Sequence, residues 1–314
     1  MDFGVFLPVS GRASSRGGLM HAAQTAEDLG FTTVWAADRI VIPWTIETTY
    51  NYNWSGSFFV PPEASFLEAL TVLSFLAGCT EKLKLGISVL VTPYRDPLYW
   101  AKIATTIDQL SEGRLILGFG VGWMEEEFKA LGREHLFKAR GKVADEQLAI
   151  LRNLLTEDHC TFHGEFFSYD DIAFRPKSYD PDRPLPIWIG GEARVAQRRA
   201  GRVGDSWFPY FPRITPQAMR EKYDLVRRTA EEHGRDPDDV RLNCCLPVEI
   251  TDAEVEQEPD LLRGTAEQVG AALEGFRDIG VEHIGLQFLV GRYPERVEQM
   301  RKLSQAVIGP GLLA

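Results

Sequence analysis

Two glycine-rich junctions carry the clearest chemistry in this chain. Gly118-Phe119-Gly120-Val121-Gly122 follows an apolar run and precedes a helical pattern, and Ile189-Gly190-Gly191-Glu192-Ala193 has the same setting further along. The third glycine of the first run comes one residue too early for the dinucleotide fingerprint G-x-G-x-x-G. Its glycines still let bare backbone approach a flat or anionic ligand at a strand end. Gly190 and Gly191 stand where the free N–H groups of a following helix could hold a phosphate. A ligand-free strand-to-helix turn satisfies either pattern as well.

Asp38 ends a short apolar run and is followed by Arg39, which offers an acid for proton chemistry or an ion pair that fixes the loop. Trp44, Tyr50, Tyr52, Trp54, Phe58 and Phe59 crowd the next segment. That is too much apolar surface for a solvated loop, so the segment is expected to line a cavity, a subunit interface or both. An aromatic or apolar substrate beside a flat cofactor suits such a lining. His159 and His163 have helical spacing, but Phe162, Gly164, Phe166 and Phe167 around them predict turn and strand, so no metal site is expected there. Of the six histidines only His283 falls near a strand, toward its beginning, which argues against a metal-dependent barrel hydrolase. Cys79, Cys160, Cys244 and Cys245 lack C-x-x-C spacing, and the adjacent pair would point to opposite faces of a strand; all four read as reduced packing residues.

What must position these residues is a regular alternation. Strands are predicted at 2–7, 33–36, 83–91, 114–119, 186–189, 205–208, 240–250 and 283–288. A helix through Leu19, Ala22, Ala23, Ala26 and Leu29 closes at Gly30, and further helices are predicted over 65–78, 97–110, 124–155, 194–202, 216–234, 265–280 and 294–307. The polar, aromatic stretch 159–174 reads as a hairpin. Regular βα alternation requires right-handed crossovers and a parallel sheet. About eight such units without a linker or composition break predict a single domain over 1–314, an α/β fold closed as a (β/α)8 TIM barrel with insertions. Insertion 38–63 follows the second strand and so lies at the C-terminal face, where barrel active sites are built; insertion 157–186 precedes the fifth.

Composition narrows the class of partner. The chain has 314 residues, 44% of them hydrophobic, and Asp+Glu 45 against Lys+Arg 34 leaves a net charge of −11. Such a balance gives no general attraction to nucleic acid or anionic lipid. No apolar run approaches the roughly 20 residues that span a bilayer, and the opening MDFGVFLPVSG lacks a basic segment before an apolar one. A cytoplasmic protein acting on a small molecule is expected.

Taken together, FGVFLP, VWAADRIVIP, LGISVLVTPYRDPLYWAKIATTIDQLSEGRLILGFGVGWMEEEF, PIWIGG with AGRVGDSWFP, and RGTAEQVGAAL before GVEHIGL resemble the luciferase-like flavin oxidoreductases. Within them the chain most resembles the branch assigned to the deazaflavin coenzyme F-420. The resemblance covers nearly the whole chain. It implies a TIM barrel, usually a homodimer, with flavin or deazaflavin at the C-terminal ends of the strands and a non-prolyl cis peptide, here Ser88–Val89, behind the central ring. It further implies Phe6 and Asp38 near the ring, Gly120 and Gly122 near the ribityl chain, Gly190, Gly191 and Glu192 near the phosphate, and Trp207 and Phe208 closing the pocket.

There are departures. The sugar-phosphate dehydrogenases of this family carry His after the strand-two Asp and Glu after the glycine run, as base and acid. Here Arg39 and Trp123 stand there, and neither can take an alcohol proton at neutral pH. The implied activity is therefore hydride transfer between deazaflavin and an aromatic or apolar organic substrate. Tyr50, Tyr52, Asp38 and Glu125 are the candidate proton donors, and Arg39, Trp44, Trp54, Phe58 and Trp123 line the substrate side. Arg39 could instead hold a substrate carboxylate or the electron-rich end of the ring. Arg194, Arg198, Arg199 and Arg202 could receive the acidic tail of a deazaflavin, or form the solvated face of a helix. The alternatives are an FMN-dependent monooxygenase, supplied with reduced flavin by a separate reductase and using oxygen, and a non-catalytic flavin-binding barrel.

Overall fold

A computed structural model describes residues 1–53 and 55–311. Eight strands form the frame: β1 (Asp2–Phe6), β2 (Thr33–Ala36), β3 (Lys84–Val91), β4 (Leu115–Gly120), β5 (Ile187–Ile189), β6 (Ser206–Trp207), β7 (Arg241–Ile250) and β8 (Val281–Phe288). Each lies parallel to the next in chain order. The parallel register Asp2↔His283 to Val5↔Leu286 joins β8 back to β1. The sheet is thus a closed (β/α)8 barrel, with no open edge between first and last strands.

The surrounding helices are α1 (Arg16–Asp28), α2 (Ala69–Ala77), α3 (Pro97–Leu110), α4 (Arg140–Thr156), α5 (Arg194–Val203), α6 (Pro216–Glu232), α7 (Ala266–Asp278) and α8 (Tyr293–Leu303). Local chemistry sets several of their ends. The Asp96 carboxylate accepts from the amides of Leu98 and Tyr99, with Pro97 at the first helical position. Thr265 and Gln268 form a capping box at the start of α7. The helix expected over 65–78 begins only at Ala69, because Glu68 caps it there.

The helical pattern at 124–155 is not one helix. It splits into Glu125–Ala130, Glu134–Phe137 and α4, with Gly132 at a φ of +69° between the first two. Periodicity survives such a break because each piece keeps an apolar face; the glycine was the available signal. The stretch 159–174 is the expected hairpin, Cys160–His163 antiparallel to Ser168–Ile172. There His159 pairs with Asp171 and His163 with Asp170, on the side of the molecule where helices lead into strands.

Strand alternation sorts side chains between two cores. Outside, the strands pack against the helices, with Cys244 and Trp207 in that layer. Inside, Trp35, Ile116, Phe208 and Cys245 form a separate cluster flanked by Phe6, Trp188 and Tyr210. Trp35, wholly buried, fits because Gly4 and Gly86 flank it on the neighbouring strands; a Cβ at either position would overlap the indole. The Trp35 indole N–H donates to His283 Nε2 at 3.1 Å. This aromatic plug fills the barrel and forms the floor of the cavity above it.

Candidate functional site

At the C-terminal ends of the strands lies a cavity of about 990 Å3. Its back wall is an irregularity in β3. The register with β4 slips between Ile87 and Leu90, and the Ser88–Val89 peptide is cis. Val89 thereby turns toward β4 and β5, where only glycines leave it room. A Cβ at Gly190 would lie 2.7 Å from Val89 Cγ1, and one at Gly120 would be closer still to Cγ2. Ser88 points to the barrel axis, with its hydroxyl 3.4 Å from Cys245 Sγ.

Two buried ion pairs hold the wall from β2. Arg95 donates to both oxygens of Asp38 at 2.7 Å, and the Val91 amide donates to Asp38 at 2.9 Å. Arg39 donates to Glu127 at 2.6 Å, and the same carboxylate accepts from the Tyr94 hydroxyl at 2.8 Å and from the amides of Ile40 and Val41. Asp38 and Arg39 therefore pair with acids and bases from other elements, not with each other. Glu126 accepts from the amides of Glu47 and Thr48, so the short helix Glu125–Ala130 anchors the aromatic insertion at two points.

The insertion folds over the cavity. The Arg39 guanidinium lies 5.0 Å from the ring centres of both Phe58 and Trp123. Tyr50 packs 4.9 Å from Trp123 and 5.5 Å from Phe58, and Tyr52 meets Tyr210 at 5.9 Å. Burial pushes the Tyr50 phenol up to about 12, despite the opposing charge of Arg39, and burial together with Glu192 raises that of Tyr52. Both remain protonated phenols at neutral pH, able to donate a proton into an apolar space.

The opposite wall, at β4 and β5, presents glycine backbone, a helix start and guanidinium groups. Gly191 has a φ of +93°, and its carbonyl accepts from the Trp207 indole at 2.9 Å. Ala193 precedes α5 without any side-chain cap, so no side chain of the N-cap takes the first amides of that helix. Arg140 donates to the carbonyls of Gly122, at 3.1 Å, and Phe137, at 2.8 Å. Arg199 is held at 2.7 Å by Asp145. Both guanidinium groups line the cavity.

Of the residues singled out from sequence, Phe6, Asp38, Arg39, Tyr50, Tyr52, Phe58, Ser88, Val89, Gly120, Gly122, Trp123, Gly190, Gly191, Glu192 and Phe208 come together on this lining. Trp207 does not: strand alternation turns it to the outer core, where it supports Gly191 from behind. Glu125 is solvent-exposed and off the lining, because Glu126 and Glu127 take the inward directions of that turn. Trp44 is 76% exposed. Trp54 lies outside the described residues. Arg194 and Arg198 are exposed and off the lining, Arg202 pairs with Asp145, and only Arg199 of that group reaches the cavity. Sequence reasoning missed Arg140, Arg296 and Tyr210; Arg140 was hidden inside the helix that proved to be broken.

Comparison with known proteins agrees with this geometry. The family model described as luciferase-like monooxygenase matches residues 1–266. The F420-dependent glucose-6-phosphate dehydrogenase of Amycolatopsis mediterranei is 30% identical over 228 residues, 69% of this chain and 62% of that one. The FMNH(2)-dependent dimethylsulfone monooxygenase of Pseudomonas putida is 32% identical over 169 residues, 53% of this chain and 45% of that one. A solved F420-dependent secondary alcohol dehydrogenase, in complex with an F420-acetone adduct, superposes with a TM-score of 0.78 over 98% of both chains at 18% identity, which shows the shared fold. With relatives that use either F420 or FMN, this chain belongs to the luciferase-like monooxygenase family of oxidoreductases.

Proposed function

We propose that this protein transfers a hydride between the deazaflavin coenzyme F-420 and an aromatic or apolar organic substrate. One observation carries the reading that a flat, anionic coenzyme belongs here. In a chain of net charge −11, the described lining carries Arg12, Arg39, Arg140, Arg199, Arg292 and Arg296; Glu127, Asp145 and Glu295 pair with three of them, and Arg140, bonded to the Gly122 carbonyl, has no carboxylate among the described residues. An acidic protein that concentrates guanidinium groups in one apolar-walled cavity is suited to an anionic ligand.

The residues present fit such a coenzyme. Gly190, Gly191, the uncapped start of α5 and Arg140 would hold its phosphate, and Val89 would back its ring. When bound, a deazaflavin supplies the ring carbon that gives or accepts the hydride. The chain's own part is to orient, to dry and to hold a proton. Tyr50, Phe58 and Trp123 exclude water, and the Tyr50 phenol keeps its proton for donation. Asp38, saturated by Arg95 and Val91, serves better as a brace than as a donor. Arg39 and Trp123 replace the base and acid that oxidation of a sugar alcohol would need, so the substrate class of the sugar-phosphate relative is not carried over.

A fluorescence titration of the purified protein with coenzyme F-420 and with FMN, side by side, tests the proposal. Deazaflavin binding in the micromolar range or tighter is expected. Binding of FMN alone would replace hydride transfer by a monooxygenase fed with reduced flavin by a separate reductase. Tight deazaflavin binding without turnover on any aromatic or apolar substrate would leave only a coenzyme-binding barrel.

A further inference from the structure

The arginines on the cavity wall differ in one respect. Arg39 has Glu127, Arg199 has Asp145 and Arg292 has Glu295. Arg140 and Arg296 have no carboxylate among the described residues. Arg140, bonded to the Gly122 carbonyl just after β4, stands where the proposed coenzyme phosphate would account for it. Arg296 does not. In the eight-strand ring β1 and β5 are four places apart, and Arg296 sits at the β1 end, its Nη1 3.5 Å from the Phe6 carbonyl.

Arg296 is largely buried and its Nε has no hydrogen-bond partner. The hydroxyl of Tyr293, one turn earlier on α8 and on the same lining, is likewise buried without a partner. Arg12, from the loop after β1, adds a third group to this side of the cavity and has no ion pair among the described residues. Burial lowers the pKa of Arg296 from its ordinary value, opposed by Tyr293 and by no carboxylate. A guanidinium Nε–H and a phenol hydroxyl that leave water without finding partners are costly unless a ligand completes them. Arg140 spends donors on two carbonyls, whereas Arg296 has only the long contact of Nη1 to the Phe6 carbonyl, and its buried Nε has no partner among the described residues.

We propose that Arg296, Tyr293 and Arg12 form a second anion subsite, which binds a carboxylate-class group on the organic substrate at the side of the cavity opposite the coenzyme phosphate. The substrate would then be an amphiphile, with an apolar or aromatic body under Tyr50, Phe58 and Trp123 and an anionic end at Arg296. The assignment to substrate rests on the redox reading above. A carboxylate of the deazaflavin's acidic tail has the same chemistry, and the experiment separates the two sources.

The probes are 2-naphthoate and its neutral counterpart 2-naphthalenemethanol, titrated into the coenzyme-free full-length protein by quenching of tryptophan fluorescence. The acid is expected to bind at least about tenfold more tightly than the alcohol, the factor that one charge-assisted hydrogen bond contributes. Arg296→Gln should remove that preference while leaving affinity for coenzyme F-420 and for tail-free FMN unchanged. Should Arg296→Gln fail to fold, Arg12→Ala, on an exposed loop, should reduce the preference in the same direction. Equal affinities of acid and alcohol for the wild type, or a preference that survives in both variants, would overturn the subsite. Loss of coenzyme F-420 affinity in Arg296→Gln, with FMN affinity and the acid preference intact, would give Arg296 to the coenzyme tail and overturn the substrate assignment. Wild-type protein that binds neither coenzyme but still prefers the acid would defeat the redox reading and leave the anion subsite standing.

Discussion

Val89 and Gly120 are a matched pair across β3 and β4: the valine methyl occupies the space that any side chain at 120 would need. The glycine run therefore answers first to the irregularity in β3, and only through it to a ligand. Gly120→Ala should overpack the wall, costing about 1–3 kcal/mol and displacing Val89 into the cavity. Adding Val89→Ala should recover most of the loss. Chemical denaturation of the two single variants and the double variant measures the coupling; strictly additive effects would contradict the pairing.

Asp38 braces the end of β2 against the segment that follows β3. Its pair with Arg95 is buried, with side-chain exposures of 0% and 10%. Asp38→Asn should therefore destabilise the protein by about 3 kcal/mol, softened by the remaining contact of Arg95 with Glu68 at 3.0 Å. Urea unfolding is the measurement. A variant of wild-type stability that had lost turnover would make Asp38 the proton donor instead.

Tyr50→Phe removes the phenol and keeps the ring packing. Turnover should fall by about 100-fold or more, the usual contribution of a positioned acid, with coenzyme affinity unchanged. Because burial raises the phenol to about 12, the wild-type rate should show no alkaline loss assignable to Tyr50 below about pH 11. An unchanged kcat would pass the role to Tyr52.

Burial drives His283 down to about 3, so it is neutral in the folded barrel, where its Nε2 accepts from Trp35. The unfolded histidine titrates near 6.5, and between those values the unfolded state binds the extra proton. The contribution is thus complete above pH 6.5 and is lost as the pH falls toward 3. His283→Gln, which keeps an acceptor for the indole and cannot titrate, should flatten the fall in thermal midpoint across that window. Parallel acid profiles for wild type and variant would refute the assignment.

Arg140→Gln tests the phosphate end. Losing a cation that is bonded to the Gly122 carbonyl and lines the same cavity as Gly190 and Gly191 should weaken coenzyme binding about tenfold or more, by equilibrium titration, with little effect on folding because no acid is left unpaired. Affinity at the wild-type level would move the phosphate elsewhere.

The barrel is legible in the sequence because it rests on short-range rules. Apolar runs alternate with amphipathic ones, Asp96-Pro97 and Thr265-x-x-Gln268 mark helix starts, and Cys244-Cys245 must face opposite ways on one strand. The positions matched by family resemblance also gather, for the most part, on one cavity wall. The singled-out residues that lie off the lining do so for identifiable reasons. Trp207 and Phe208 are adjacent in sequence, but neighbours on a strand cannot both face inward. Glu125 is one of three consecutive glutamates, and a rotation of one position decides which of them reaches the loop. Trp44 belongs to the same aromatic run as Tyr50 and Phe58, and only the folded path of the insertion separates exposed rings from lining ones.

By itself, then, the order of residues determined the element types and the closed parallel sheet, since these follow from periodicity and chirality within one βα unit at a time. Charge partnership was decided only by tertiary structure. Arg95 reaches Asp38 from beyond β3, Glu127 crosses from the β4 side to Arg39, and no acid arrives at Arg140 or Arg296 among the described residues. Coulomb and hydrogen-bond energies depend on separation in space rather than along the chain, so which arginines are spent and which are left for a ligand emerges only once the barrel has closed.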